Sequence, residues 1–167
     1  RCGTSMDKSC KEMKKNKIAT SLLDSELLLS KAIKKSREFV ILNSKYNIKE
    51  KDYLYFKELI SERSKGKPIA YLTGKKFFWK HEFKINNKVL IPRPDTEIII
   101  EQVLKIYRTK NKINFLDIGV GSGCILLSIL TERKDFKGTG IDIDNQALNI
   151  CNINAYKLGV KNRVSLF

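Results

Sequence analysis

Apolar residues recur at helical spacing through the first third of the chain. Leu27, Leu28, Ala32 and Ile33 predict a helix over about 23–35, with Ser21 and Asp24 as candidate N-cap residues. Phe39, Val40 and Leu42 predict a second, short helix after Ser36. Tyr53, Phe56, Leu59 and Ile60, spaced three and four apart, predict a third over about 49–64, stopped by Gly66 and Pro68. Together they read as a small bundle with its lysines toward water. Residues 1–20 are polar and basic, and are expected to be a tail or expression remnant in which only Ile18 and Ala19 begin to pack.

The pattern changes at 69–91. Phe77, Phe78, Trp79, Phe83 and Ile85 precede Asn86-Asn87, and Val89-Leu90-Ile91 follows. Aromatic and β-branched clusters broken by turn residues predict a hairpin, here a connector, with its aromatics in a core rather than a base-stacking platform. Next comes Ile91-Pro92-Arg93-Pro94-Asp95-Thr96-Glu97, then a helix carrying Ile98, Ile99, Ile100, Val103, Leu104 and Ile106, expected to pack on a sheet. Pro94 suits the first helical turn, and Asp95 and Glu97 suit its positive end. A stiff helix start explains Pro-Arg-Pro without any function. The alternative is a rigid loop in which Arg93, Thr96 and Glu97 cover an active-site mouth.

The remainder alternates strand and helix. Ile113–Ile118 is apolar except for Asn114 and Asp117 and reads as a strand covered on both faces. A glycine turn leads to a helix from Cys124 to about Glu132. A second strand over 138–143, a helix over about 146–158 and a third strand from Arg163 follow. This β-α-β-α-β order predicts an α/β, Rossmann-like sheet of which several strands would be missing. The expected organisation is a helical domain at 21–68, a connector at 69–91 and a partial Rossmann-like domain at 92–167.

The candidate chemistry lies in the turn, Asp117-x-Gly119-x-Gly121-x-Gly123, with Val120 and Ser122 between the glycines. Glycines let the backbone turn sharply and approach a ligand, and the following helix offers free N–H groups. The dinucleotide fingerprint fails, because Cys124 stands at its last glycine position, and a phosphate-gripping loop would need Lys-Ser/Thr. Asp142 ends the second strand about 20 residues further on, where an acid accepts the hydroxyls of a ribose. A nucleoside without a pyrophosphate fits, and S-adenosylmethionine is such a ligand. The alternative is a glycine-rich turn in a generic α/β sheet, disfavoured because the loop and Asp142 occur together at the right spacing.

Composition narrows the class. Among 167 residues, 42% are hydrophobic and 31% charged, which excludes a disordered chain. No apolar run approaches a membrane span, and the start lacks a signal-peptide core. Four cysteines without a C-x-x-C pair read as reduced thiols in the cytoplasm. A single histidine, His81, argues against a histidine-based metal site. The net charge is +15 and uneven, since residues 1–90 hold 22 Lys and Arg against 10 Asp and Glu. That would suit RNA or an acidic partner, but the Lys-, Ile- and Asn-rich composition of an A- and T-biased genome explains it without one, so nucleic acid is not favoured.

These residues resemble the protein-(glutamine-N5) methyltransferases that act on peptide chain release factors, the HemK/PrmC family. The likeness runs from Leu23 to Phe167 through Leu-Asp-Ser-Glu-Leu-Leu-Leu (23–29), Glu-Arg-Ser-Lys-Gly-Lys-Pro-Ile-Ala-Tyr-Leu-Thr-Gly (62–74), Val-Leu-Ile-Pro-Arg-Pro-Asp-Thr-Glu (89–97) and Phe-Leu-Asp-Ile-Gly-Val-Gly-Ser-Gly (115–123). The third run is the most specific. The resemblance implies a helical domain that recognises the release factor, and a catalytic domain that methylates the glutamine of a Gly-Gly-Gln motif with S-adenosylmethionine. It implies that Gly119–Gly123 line the methionine part, that Asp142 holds the ribose and that Asp117 orients the loop or the amine. The family's Asn-Pro-Pro-Tyr acceptor motif, its acidic-aromatic pair near the adenine and its first helix are not recognised here. The chain is therefore expected to be an incomplete, inactive fragment without a catalytic residue of its own. The rivals are an adenine-N6 nucleic-acid methyltransferase, which the basic front half would suit, a non-catalytic binding remnant, and a dehydrogenase domain, disfavoured by Cys124.

Overall fold

A computed structural model describes residues 1–167, which form two compact units, Arg1–Thr73 and Gly74–Phe167. No helix is long and apolar enough to cross a membrane.

The first unit is helical, and its beginning corrects the expectation of a tail. Helix α1 (Cys2–Lys15) buries Cys2, Ser5, Ser9 and Met13, a stripe at helical spacing. Two of the four are serines, so apolar periodicity does not reveal it. The Ser9 hydroxyl donates to the Ser5 carbonyl at 2.9 Å, which satisfies it inside the helix. Helix α1 packs with α2 (Ser21–Ile33) and α4 (Glu50–Ser64), and α3 (Arg37–Leu42) lies against α2. Met13, Leu28, Leu29, Val40, Phe56 and Ile60 form the core. Ser36 caps α3 by accepting from the Phe39 N–H at 3.1 Å.

Neither candidate cap of α2 acts as one. Its N-cap residue is Thr20. Asp24 is 1% exposed and accepts from Arg63 Nε at 2.7 Å and from the Thr20 hydroxyl at 3.0 Å. Removing one partner of a buried pair leaves the other charge without compensation. Arg63→Ala is therefore expected to lower the stability of this unit by about 3 kcal/mol, and the double replacement Asp24→Leu with Arg63→Met by less than about 1 kcal/mol. Urea denaturation followed by circular dichroism measures both.

Residues 69–73, expected within the connector, form a short helix, α5 (Ile69–Thr73), that buries Ala70 and Leu72. The Lys31 ammonium donates to the Leu72 carbonyl at 2.6 Å and the Thr73 carbonyl at 3.3 Å. A cation there satisfies helix-end carbonyls.

The second unit opens on the expected hairpin, with a different turn. Strands β1 (Lys75–Phe78) and β2 (His81–Lys84) pair antiparallel, with Phe78 opposite His81. The turn is therefore Trp79-Lys80 and not Asn86-Asn87, and Val89–Ile91 forms no strand. Trp79 adopts φ +56°, a conformation most side chains avoid. Its N–H donates to Glu97 Oε1 and its indole N–H to Glu132 Oε1, both at 2.8 Å. These distant carboxylates hold a turn that the run of aromatics hides.

A 3-10 turn (Pro94–Thr96) leads into α6 (Glu97–Ile106). Strand β3 (Asn114–Ile118), helix α7 (Cys124–Glu132), β4 (Lys137–Ile141), helix α8 (Asn145–Lys157) and β5 (Val164–Leu166) follow. The three strands form a parallel sheet in the order β3-β4-β5. The class is the expected one, a helical part followed by a mixed α/β part. Two details differ. Strand β3 pairs only with β4, and Leu116 and Ile118 are 55% and 76% exposed rather than covered. Helix α6 packs on α7 and buries Ile100, while Ile98, Ile99 and Ile106 remain exposed. Strand β3 stands at the edge of the sheet, and Ile99 lines an open hollow there with Leu116 and Ile118.

Candidate functional site

Strand β3 carries Asp117 to the carboxyl edge of the sheet, level with Gly140 of β4. The chain then turns while still bonded to β4. The N–H groups of Gly119 and Val120 both donate to the Ile141 carbonyl, at 2.8 and 2.9 Å. Asp142, just past β4, ties the loop down. Its Oδ2 accepts from the Gly121 N–H at 2.9 Å and its Oδ1 from the Asp144 N–H at 3.0 Å. A carboxylate offers about four acceptor positions, so Asp142 keeps capacity for a ligand. Asp144 in turn caps α8 by accepting from the Gln146 N–H at 2.8 Å.

The loop glycines do different jobs. Gly119 and Gly121 have φ +78° and +53°, and a methyl group at Gly119 would meet nothing within 4 Å. They turn the chain and leave its upper surface open. Gly123, also at φ +78°, packs tightly: a β-carbon there would lie 2.6 Å from Cys151 Sγ and 2.8 Å from Leu127 Cδ1.

A cavity of about 390 Å³ opens over this loop. Leu90, Ile91, Pro92, Arg93 and Thr96 line one part, and Asp117, Gly119, Val120, Gly121, Ser122, Cys124 and Ile125 the rest. The structure thus brings Arg93 and Thr96 to the loop. Glu97 is not among the lining residues, because its carboxylate holds the hairpin turn at Trp79. A second hollow of about 370 Å³ lies at the ends of β3 and β4, lined by Ile118, Gly119, Ile141, Asp142 and Ile143.

The electrostatics are uneven. Burial pushes the Asp117 carboxyl up; a hydrogen bond from the Leu126 N–H opposes this, and the nearby Asp142 charge adds to it. Burial also pushes the Cys124 thiol up to about 11 and the Cys151 thiol up to about 12. Both stay protonated near neutral pH and are poor nucleophiles. Arg93 brings a cation to the cavity that holds Asp117.

Sequence reasoning missed Leu90, Ile91 and Pro92 as lining residues, since they read as strand and stiff turn. It also missed Asn154, whose side chain donates to the Ser122 carbonyl at 2.9 Å. The signal that could have found it is helical spacing: position 154 falls on the same face of α8 as the buried Ala147, Ile150 and Cys151.

Residues 6–74 match the family described as the PrmC N-terminal domain. The chain is 41% identical over 144 residues to the release factor glutamine methyltransferase of Buchnera aphidicola subsp. Acyrthosiphon pisum, covering 86% of this chain and 52% of that one. It is 38% identical over 156 residues to the protein of the same name from Leptospira interrogans, covering 93% and 54%. Among solved structures, a SAM-dependent methyltransferase from Geobacter sulfurreducens in complex with S-adenosyl-L-homocysteine overlaps 50% of this chain and 30% of its own, at 26% identity and TM-score 0.38. The chain spans about half the length of each of these two relatives. By sequence it belongs to the release factor glutamine methyltransferase family.

Proposed function

We propose that these residues are the part of a release factor glutamine methyltransferase that holds S-adenosylmethionine and recognises the protein substrate. One observation carries the cofactor reading: Asp117 and Arg93 line one cavity over a glycine loop that Asp142 anchors. An anion and a cation lining the same cavity suit the ammonium and carboxylate of an amino-acid end. The remaining capacity of Asp142 suits a ribose diol, and the apolar hollow beside it, with Ile118, Ile141 and Ile143, suits a flat base. The groups present therefore fit the ligand. When bound, S-adenosylmethionine supplies a methyl group on a positively charged sulfur. The protein's own part is positional: the loop backbone lets the ligand approach, Asp117 and Arg93 orient its amino-acid end, and Asp142 fixes the sugar.

The acceptor we propose is the side-chain amide nitrogen of the Gly-Gly-Gln glutamine in a release factor. An amide nitrogen is a weak nucleophile, so alignment with the methyl group has to replace basicity. The helical unit, matching the PrmC N-terminal domain, is the proposed recognition part.

Isothermal titration of the chain with S-adenosylhomocysteine, NAD and adenosine tests the ligand class. Binding of the first and third, with none of NAD, is expected; NAD binding at equal or higher affinity would contradict the reading. Arg93→Ala is expected to weaken S-adenosylhomocysteine about tenfold, the loss of one charge-assisted contact, while leaving adenosine unchanged.

A further inference from the structure

Asn154 sits on α8 and is fully buried. Its Oδ1 accepts from the Lys84 N–H at 2.8 Å, and its Nδ2 donates to the Lys84 carbonyl at 2.9 Å. Facing both backbone groups of one residue, the amide stands where a neighbouring strand would stand beside β2. Its second Nδ2 hydrogen goes to the Ser122 carbonyl at 2.9 Å, so both donors of the side chain are used.

That last bond reaches the glycine loop. The Ser122–Gly123 peptide is held at both ends, its carbonyl by Asn154 and its N–H by the Val120 carbonyl at 2.8 Å. The Gly121 N–H is held by Asp142. A backbone of glycines has many conformations to lose on binding a ligand, and a loop already fixed in one of them binds more tightly. Without Asn154 the Ser122 carbonyl, on a residue only 3% exposed, would lose its partner.

We infer that Asn154 is a positioning residue of the ligand site: it orders the glycine loop from behind and joins that loop to the hairpin. The ligand part of this inference rests on the cofactor reading above; the loop-ordering part does not.

The test uses the whole chain with Asn154→Asp, which keeps the acceptor for Lys84 and loses both donors. Arg163→Gln is the comparison. Arg163 donates to the carbonyls of Leu130, Arg133 and Phe136, away from the loop, so its loss lowers stability without touching the site. Amide hydrogen exchange at Gly121, Ser122, Gly123 and Cys124, measured without ligand at matched distance below each melting temperature, is expected to quicken at least about tenfold more in Asn154→Asp than in Arg163→Gln. S-adenosylhomocysteine is expected to bind about tenfold more weakly to Asn154→Asp, and within about twofold of wild type to Arg163→Gln. Equal exchange in the two variants would overturn the inference, and so would loosened amides with unchanged affinity. If the wild-type chain binds no S-adenosylhomocysteine, the cofactor reading fails, while the exchange rates still decide the loop-ordering role. Should Asn154→Asp not fold, Asn154→Ser carries the same comparison.

Discussion

Gly123→Ala is expected to destabilise the second unit by about 2–5 kcal/mol, more than alanine at Gly119 or Gly121. Two effects add. The residue has φ +78°, which costs a side-chain residue about 1–2 kcal/mol. The new methyl group would also lie 2.6 Å from Cys151 Sγ and 2.8 Å from Leu127 Cδ1. Both neighbours are fully buried and have little room to withdraw; overpacking of this kind costs about 1–3 kcal/mol. Gly119→Ala isolates the first effect, because its φ is the same and nothing lies within 4 Å; its cost is expected to be only about 1–2 kcal/mol. Adding Cys151→Ala to Gly123→Ala should recover part of the loss by making space. Thermal unfolding of the three variants checks the series. Equal losses for Gly119→Ala and Gly123→Ala would show that packing behind the loop does not matter.

Asp117→Asn is expected to separate stability from binding. The folded chain raises the Asp117 carboxyl above its ordinary value, chiefly by burial. A carboxyl raised on folding holds its proton more tightly in the folded state, so ionising it opposes folding. The penalty is absent below the ordinary carboxylate range and complete once the pH exceeds the raised value. At neutral pH the asparagine variant should therefore be as stable as wild type or more so, with the difference vanishing in acid. Its affinity for S-adenosylhomocysteine should fall about 10- to 100-fold, the loss of a hydrogen bond between charged groups. The same logic gives a pH dependence: wild-type affinity should decline as the pH drops through the raised Asp117 value, and the variant's should be flatter over that range. A variant that lost stability at pH 7 yet kept its affinity would contradict the role given to Asp117.

The parts of the fold that were legible share one property: the residues that determine them lie close together in sequence. Residues 113–124 switch from a strand-like apolar run to glycines and then to a helical pattern, so β3, the loop and α7 could be placed to within a residue or so. Asp142 was legible because its distance from the loop follows from one strand, one helix and one more strand. Features fixed by distant partners were not legible. Helix α1 hides a buried stripe half made of serines. Asp24 looks like a cap and is an interior ion pair with Arg63. Glu97 looks like part of a site mouth, and its carboxylate instead holds Trp79 in an unfavourable turn. Exposure of β3 follows from its place at the margin of the sheet, which its own composition does not record.

The claim at the centre is that the loop from Gly119 to Gly123, with Asp117 and Asp142, receives S-adenosylmethionine. Nuclear magnetic resonance of the labelled chain titrated with S-adenosylhomocysteine tests it directly. Saturable shifts at the amides of Gly119, Gly121, Ser122 and Asp142, with a dissociation constant below about 1 mM, or about −4 kcal/mol, are the predicted result. Unmoved loop amides at several times that concentration, or shifts confined to residues away from the loop, would contradict it.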